Sequence, residues 1–245
     1  MTAFVMTDCT SYIAGFDFTC KSSSLKLGLD VDDQDVTTFC SSGWKEVIGG
    51  IKSVDGKVEG FWESDDPGFP NAVDPELFGN LAVVDQVVTH CATKTAGDTA
   101  YFYKAANFSY EIFGDVNDVA PFEIELKGSD TIGLIRGKLA KAKGNVSATG
   151  VLGSVLNLGA PTASQWVYAV LHVFTVGTTI TVQLQSASDS IFTTPTTRAT
   201  IGPVTTRGGY AITRIPGPLV GEAYWRFNVS AITGTFSVAG SIAVQ

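Results

Sequence analysis

The chain has 245 residues, a net charge of −8 and only 16% charged residues. That length can bury a full core in one large β domain or two small ones. The acidic balance argues against ordinary DNA or RNA binding, because phosphates are repelled. The charge is also uneven. Residues 1–140 hold 10 Lys+Arg against 22 Asp+Glu, net −12, and residues 141–245 hold 6 against 2, net +4. Opposite signs suit two modules that attract each other within or between copies. A surface this poor in charge suits burial in an oligomer, and equally a β-protein with Ser and Thr on its outer faces.

The first residues, MTAFVMTDCTSYIAG, lack a basic region and carry Asp8, so they do not read as a secretory signal. Cys9, Cys20, Cys40 and Cys91 match no zinc spacing and form no C-x-x-C pair, so reduced thiols are expected. Leu25–Leu29 reads as a strand running into an acidic loop at Asp30, Asp32, Asp33 and Asp35. That loop is not an EF-hand: counted from Asp30, the Gly position holds Asp35 and the distal Glu position holds Ser41. Gly43-Trp44-Lys45-Glu46 and the turn-or-bulge pair Gly49-Gly50 follow, then a strand at Lys57–Trp62. After the loop ESDDPGFPNAV, Asp74-Pro75-Glu76 predicts a helix over about residues 75–85. There Asp74 would cap the first N–H groups, Pro75 would take the first helical position, and Gly79 and Asn80 would weaken the interior.

Strand signals then dominate. TAYFYKAANFSYEIF and PFEIELKG flank a turn at Gly114–Asp118. RGKLAKAKGNV, residues 136–146, marks a change of composition and a boundary, with KAKGN inside it reading as a short linker or a turn. VYAVLHVFT, TTITVQLQS, YAITRI, YWRFNVSAI and TFSVAGSIAV carry β-branched and aromatic residues in partial alternation. No apolar run is long enough for a membrane span. The expected organisation is a β domain at 1–140 and a second β-rich domain at 141–245.

Chemistry-bearing groups are sparse. His90 and His172 are the only histidines, and each sits inside a strand pattern as a core residue would. His90 and Cys91 are strand neighbours pointing to opposite faces, so they cannot form a nucleophile pair. Glu59, Glu63, Glu123 and Glu125 offer carboxylate pairs of the kind any acidic β-protein offers. No catalytic signature such as G-x-S-x-G or H-E-x-x-H is present, so no enzyme activity and no cofactor are expected. Four tryptophans leave a carbohydrate-binding or adhesion β-sandwich as the competing reading, with Trp62 and Trp225 placed in strands as core or interface residues.

Taken in order, Leu25–Leu29, the acidic segment into Asp35–Phe39, Gly43–Glu46, Gly49-Gly50, Lys57–Trp62, the helix from Pro75, Tyr101–Phe113 and Pro121–Lys127 resemble the tail-tube (major tail) proteins of long-tailed bacteriophages. The resemblance covers about residues 25–140. Residues 141–245 resemble the second half of such proteins from phages of actinobacteria. The resemblance implies a mainly β, tail-tube-like β-sandwich or half-barrel with one flanking short helix, plus a second β-rich module. It implies a structural virion protein, assembled in the host cytoplasm and located in the tail, that polymerises into stacked rings forming a conduit for genome delivery. Its partners would be copies of itself in rings of three or six, with the tape-measure, tail-terminator and baseplate or tip proteins; double-stranded DNA would pass without specific binding. The second module would either form tube wall, giving three-fold rings, or decorate six-fold rings as an Ig-like domain. Asp30, Asp32, Asp33, Asp35, Glu123 and Glu125 are the expected lumen-facing carboxylates. The loop reaching the next ring would lie at Phe39–Ile51, around Trp44, Lys45 and Glu46, or at Glu63–Val73, around Asp65 and Asp66.

Overall fold

The computed structural model describes residues 7–38, 40–64 and 73–245. Asp65, Asp66 and Phe39 lie outside the described residues. In chain order the strands are β1 (Thr10–Ile13), β2 (Phe16–Asp17), β3 (Ser22–Asp35) and β4 (Val47–Phe61), followed by the helix α1 (Val73–Gly79). Then come β5 (Gln86–Cys91), β6 (Thr99–Ile112), β7 (Pro121–Gly128), β8 (Ile135–Val146), β9 (Gly150–Asn157), β10 (Trp166–Thr175) and β11 (Thr179–Ala187). The chain closes with β12 (Thr196–Val204), β13 (Gly208–Ala211), β14 (Ile215–Pro216), β15 (Tyr224–Thr233) and β16 (Phe236–Val244). The protein is mainly β, its named strand pairs are antiparallel, and α1 is the one α-helix among the described residues.

Contacts divide the chain into two compact units that interleave in sequence. The sandwich unit is Met1–Cys20, Gln86–Tyr103 and Ile135–Gln245; the arm unit is Lys21–Asp85 and Lys104–Leu134. The compositional change near residue 140 falls inside β8, so residues 136–146 are not the expected linker but a strand paired with β16. Leu139 and Ala140 are buried at a register shift against β16 while Lys138, Lys141 and Lys143 reach outward, which lets the segment sit in a sheet despite its charge.

In the sandwich unit, β12-β11-β15-β9 form one sheet. Period-two patterns put Ile180, Val182 and Leu184 of β11 and Trp225, Phe227 and Val229 of β15 on its inner face. They pack in one core with Val167, Leu171 and Val173 of β10 and with Phe236, Val238 and Ile242 of β16. β10 and β16 are buried on both faces along most of their length. On their second face Phe174 and Ala239 pack with Tyr12 of β1. The β1–β2 turn, Ala14-Gly15, has φ of 47° and 79°, the hairpin geometry that glycine favours. A Cβ on Gly15 would stand 2.5 Å from the Val173 carbonyl oxygen and 2.6 Å from the Gly208 nitrogen. This close approach brings the β1–β2 end of the second sheet against β10 and β13. The YAITRI segment is only partly a strand: pairing with β10 is interrupted between Ala211 and Ile215, where Arg214 stacks 4.2 Å over the Trp166 ring.

In the arm unit, β3, β4, β7 and the end of β6 form an ordered sheet. Val54, Val58, Phe122, Ile124 and Leu126 are buried on one face. Tyr110 shares that face through its register with Ile124, and α1 is tied to it because Tyr110 Oη donates to Asp74 Oδ1 at 2.7 Å and Trp62 Nε1 donates to the same oxygen at 3.1 Å. Burial, with the nearby Asp74 carboxylate, holds the Tyr110 phenol above its usual range. The helix is shorter than expected and starts earlier. Asp74 lies inside it and spends its carboxylate on the sheet rather than on a cap. Asn80 Nδ2 donates to the Glu76 carbonyl at 2.7 Å at the end of the helix, and Ala82 N then donates to Asn107 O at 2.7 Å.

Gly60 is a second required glycine, since a Cβ there would meet Lys21 O at 2.0 Å and the Phe122 ring at 2.6 Å. Gly60→Val is expected to destabilise the arm unit by about 3 kcal/mol or more through overpacking, read as an earlier denaturant midpoint. Asp74→Ala leaves the Trp62 and Tyr110 donors unpaired and is expected to cost about 1–3 kcal/mol, with a downward shift of the Tyr110 pKa in a spectrophotometric titration.

Candidate functional site: the β3–β4 arm and its carboxylate face

The site grows out of one hairpin. β3 and β4 pair from Ser22↔Gly60 out to Asp35↔Val47, and the register shifts between Val31 and Asp33. β7 pairs β4 only over Asp55–Phe61. Beyond that point the ribbon has no third strand among the described residues. The expected acidic loop is therefore strand: Asp30, Asp32, Asp33 and Asp35 all belong to β3, held by cross-strand pairing to β4. Ile48-Gly49-Gly50 lies in β4 at the register shift, the bulge the glycines suggested.

Burial fades along the ribbon. Leu25 and Leu27 are half-buried opposite Val58 and Gly56, but Leu29 is 55% exposed and Val31 49%. At the far end Trp44 is 78% exposed, Ile51 78%, Ile48 56% and Val47 51%. The tip is internally ordered all the same. Thr37 N donates to Asp35 Oδ1 at 2.9 Å, Glu46 N to Thr37 Oγ1 at 2.9 Å, and Trp44 N to Ser41 O at 2.9 Å. The Thr37 hydrogen bonds hold the Asp35 carboxyl below its usual range. Lys45 Nζ lies 3.8 Å from Asp33 Oδ2. The structure thus gathers Trp44, Lys45 and Glu46 at one exposed tip.

The six expected wall carboxylates do not share one face. Alternation along β3 puts Asp30 and Asp32 on one side and Asp33 and Asp35 on the other, with Leu29 and Val31. Glu123 and Glu125 pair with Glu59 and Lys57 across β4–β7, and so share the Asp30 side through Lys26. Lys57 is the pivot of this face. Its Nζ is 2.6 Å from Glu123 Oε1 and 3.0 Å from Glu59 Oε1. Those bonds, Glu123's first, hold the ammonium above its usual range, and Lys57 in turn lowers the Glu59 carboxyl. Glu111 pairs with Glu123 from β6 and adds another carboxylate to the same face. Sequence reasoning missed the roles of Glu111 and Lys57, which appear only when the register is known.

Other groups fall into structural roles. His90 and His172 are buried strand residues at 3% and 1% exposure, as their patterns suggested. Trp225 is fully buried, Trp62 bonds Asp74, and Trp166 lies under Arg214. Trp44 is left as the exposed tryptophan. Among the described residues no group of three or more His, Cys, Asp or Glu side chains could hold a metal ion, and no helix is long and apolar enough to cross a membrane.

No protein-family model and no curated protein matches the chain. Several solved structures superpose on it loosely. A chain from the virion of a native gene transfer agent particle has TM-score 0.39 at 16% identity, covering 54% of this chain and 98% of its own. A chain from the tail of an empty gene transfer agent particle, with C6 symmetry, has TM-score 0.37 at 16% identity, covering 48% and 84%. The SPP1 Dit (gp 19.1) protein, a hub of the adsorption apparatus in phages infecting Gram-positive hosts, has TM-score 0.38 at 9% identity, covering 96% and 98%. Superpositions this loose carry no functional assignment.

Lys57→Met leaves Glu59 and Glu123 facing each other across β4–β7. A lower melting temperature in low salt is expected, with the difference from wild type shrinking as salt screens the repulsion. An equal loss at all salt concentrations would mean that Lys57 acts through packing alone.

Proposed function

We propose that this chain is a structural virion protein of a long-tailed phage, and that it builds the tail tube by self-assembly. One observation carries the reading: the outer half of the β3–β4 arm is an ordered two-stranded ribbon that leaves Leu29, Val31, Trp44, Val47, Ile48 and Ile51 exposed. An isolated two-stranded ribbon is at best marginally stable in water. Exposed apolar side chains on such a ribbon mark a surface that another molecule covers. A second copy of the chain is the simplest cover. The contact would be heterologous, arm to some other face, and such contacts close into rings or run on as stacks. Of the two segments that the family resemblance offers for the inter-ring loop, Phe39–Ile51 and Glu63–Val73, this reading takes the first.

The carboxylate face supports the conduit role. Asp30, Glu59, Glu111, Glu123 and Glu125 lie on one side of the sheet against Lys26, Lys57 and Lys127. Turned to a lumen, that excess would repel phosphates and let a duplex slide rather than bind. Asp33 and Asp35, on the opposite side, would meet a neighbouring copy or outside solvent instead.

The test is a triple substitution on the arm, Trp44→Ser, Ile48→Ser and Ile51→Ser. These side chains are exposed in the single chain, so the far-ultraviolet spectrum and melting temperature should hold. Assembly should weaken at least tenfold by sedimentation velocity over a concentration series. Assembly unchanged in the folded triple variant would remove the arm from the account. Parallel titration of the wild type with saccharides, followed by tryptophan fluorescence, should show no saturable change.

A further inference from the structure

A second feature lies in the sandwich unit and is independent of the arm. β5 and β10 are not neighbours in the sheet order β13-β10-β16-β8-β6-β5-β1-β2, yet a side-chain contact joins them. His172 Nε2 of β10 lies 2.8 Å from Thr89 Oγ1 of β5. The His172 ring is enclosed by Tyr12 at 5.7 Å between ring centres and by Phe174 stacked at 6.1 Å. His90, the residue after Thr89 on β5, points to the other face of that strand, where its Nε2 lies 3.3 Å from Tyr103 Oη of β6. Both histidines are buried, and the Nδ1 atom of each has no protein partner.

Such a site accepts a neutral imidazole and rejects a charged one. One ring nitrogen of each histidine can serve the Thr89 or Tyr103 hydroxyl, whichever tautomer is present. A second proton would place a charged N–H at Nδ1 with no protein acceptor, among aromatic and aliphatic atoms. Of the groups around His172, Asp17 favours the charged ring, but burial and the neighbouring His90 outweigh it. β1 brings Tyr12, whose phenol burial keeps protonated. β2 brings Asp17, but Lys143 Nζ of β8 already donates to its Oδ2 at 2.6 Å while lying 4.8 Å over the Phe174 ring. β5 brings Thr89, His90 and the buried Cys91 thiol, which burial pushes up to about 11. Tyr103 of β6 faces His90, Arg207 lies over the Phe16 ring of β2, and the strand partners of His172 itself are Gly209 of β13 and Ala239 of β16. Burial holds His90 down to about 4 and His172 down to about 3.

We propose that the β5–β10 seam is an acid-sensitive latch, closed while both imidazoles are neutral and opening when they take up protons. The sign follows from linkage. Above the ordinary histidine pKa near 6.5, open and closed forms bind the same number of protons and pH has no effect. Below it the open form gains a proton on each histidine, and the closed form does not until its own depressed pKa is reached. The opening constant therefore rises by up to about tenfold per pH unit for each histidine as pH falls from about 6.5 toward about 4.

Hydrogen exchange of the β5 and β10 amides, corrected for the intrinsic chemical rate, reads this constant in the wild-type chain between pH 7.5 and 4.5. The latch requires protection to be flat above pH 6.5 and to fall steeply below it. His172→Gln keeps a polar partner for Thr89 without the titration, and should make the fall shallower by about tenfold per pH unit. Equal slopes in wild type and variant would overturn the proposal. Should His172→Gln fail to fold, the ring-proton shifts of the wild type decide. Histidines that stay neutral in the folded chain down to about pH 4.5 support the latch, and a folded-state midpoint near 6.5 overturns it.

Discussion

A two-stranded β-ribbon cannot bury its own side chains. That constraint governs the arm unit, because β7 supports β4 only from Asp55 to Phe61 while β3 and β4 continue together as far as Asp35 and Val47. Near the sheet, Val54 and Val58 are buried under the helix side of the unit. Farther out the same alternation delivers Leu29 and Val31 to solvent. The ordered tip, with its Thr37 and Ser41 hydrogen bonds, shows that the ribbon is a defined projection and not a slack loop. On the proposed reading, a neighbouring copy receives this projection.

The carboxylates answer a different physical demand. Glu59, Glu111 and Glu123 stand side by side across three strands, an arrangement that repels itself unless a cation intervenes. Lys57 intervenes, bonded to Glu59 and Glu123, and leaves an acidic excess on the face as a whole. A face built to bind nucleic acid would carry the opposite sign. A face built to let a polyanion pass would look like this one. The tube proposal needs both features: an arm that joins copies and a wall that does not grip the duplex.

Much of the fold was legible because burial and alternation leave a mark in sequence. β10, β11, β15 and β16 are apolar at the positions that now form the sandwich core, and His90, His172 and Trp225 were readable as core residues from their neighbours. The acidic segment was misread for a physical reason. Four aspartates suggest a loop when a segment is considered alone, but cross-strand pairing with Val47–Ser53 holds them extended. Their division between two faces then follows from their spacing, 30 and 32 against 33 and 35. The basic stretch at 136–146 was misread in the same way, its strand character being set by β16, a hundred residues away. The helix ended early because Asn80 and Ala82 bond at its C-terminal end, and Asp74 was drawn inward by Trp62 and Tyr110. Apart from Glu76, which receives the Asn80 bond, these partners are not local in sequence.

The central claim is that the arm of one copy is covered by another copy. Electron cryomicroscopy of the full chain at rising concentration tests it most directly. Rings or hollow tubes with the β3–β4 ribbon seated on a neighbouring subunit, and with the Glu123 face toward an open lumen, are the expected result. Assemblies in which Trp44 and Ile51 still project into solvent, or single chains at every concentration tried, would contradict the account.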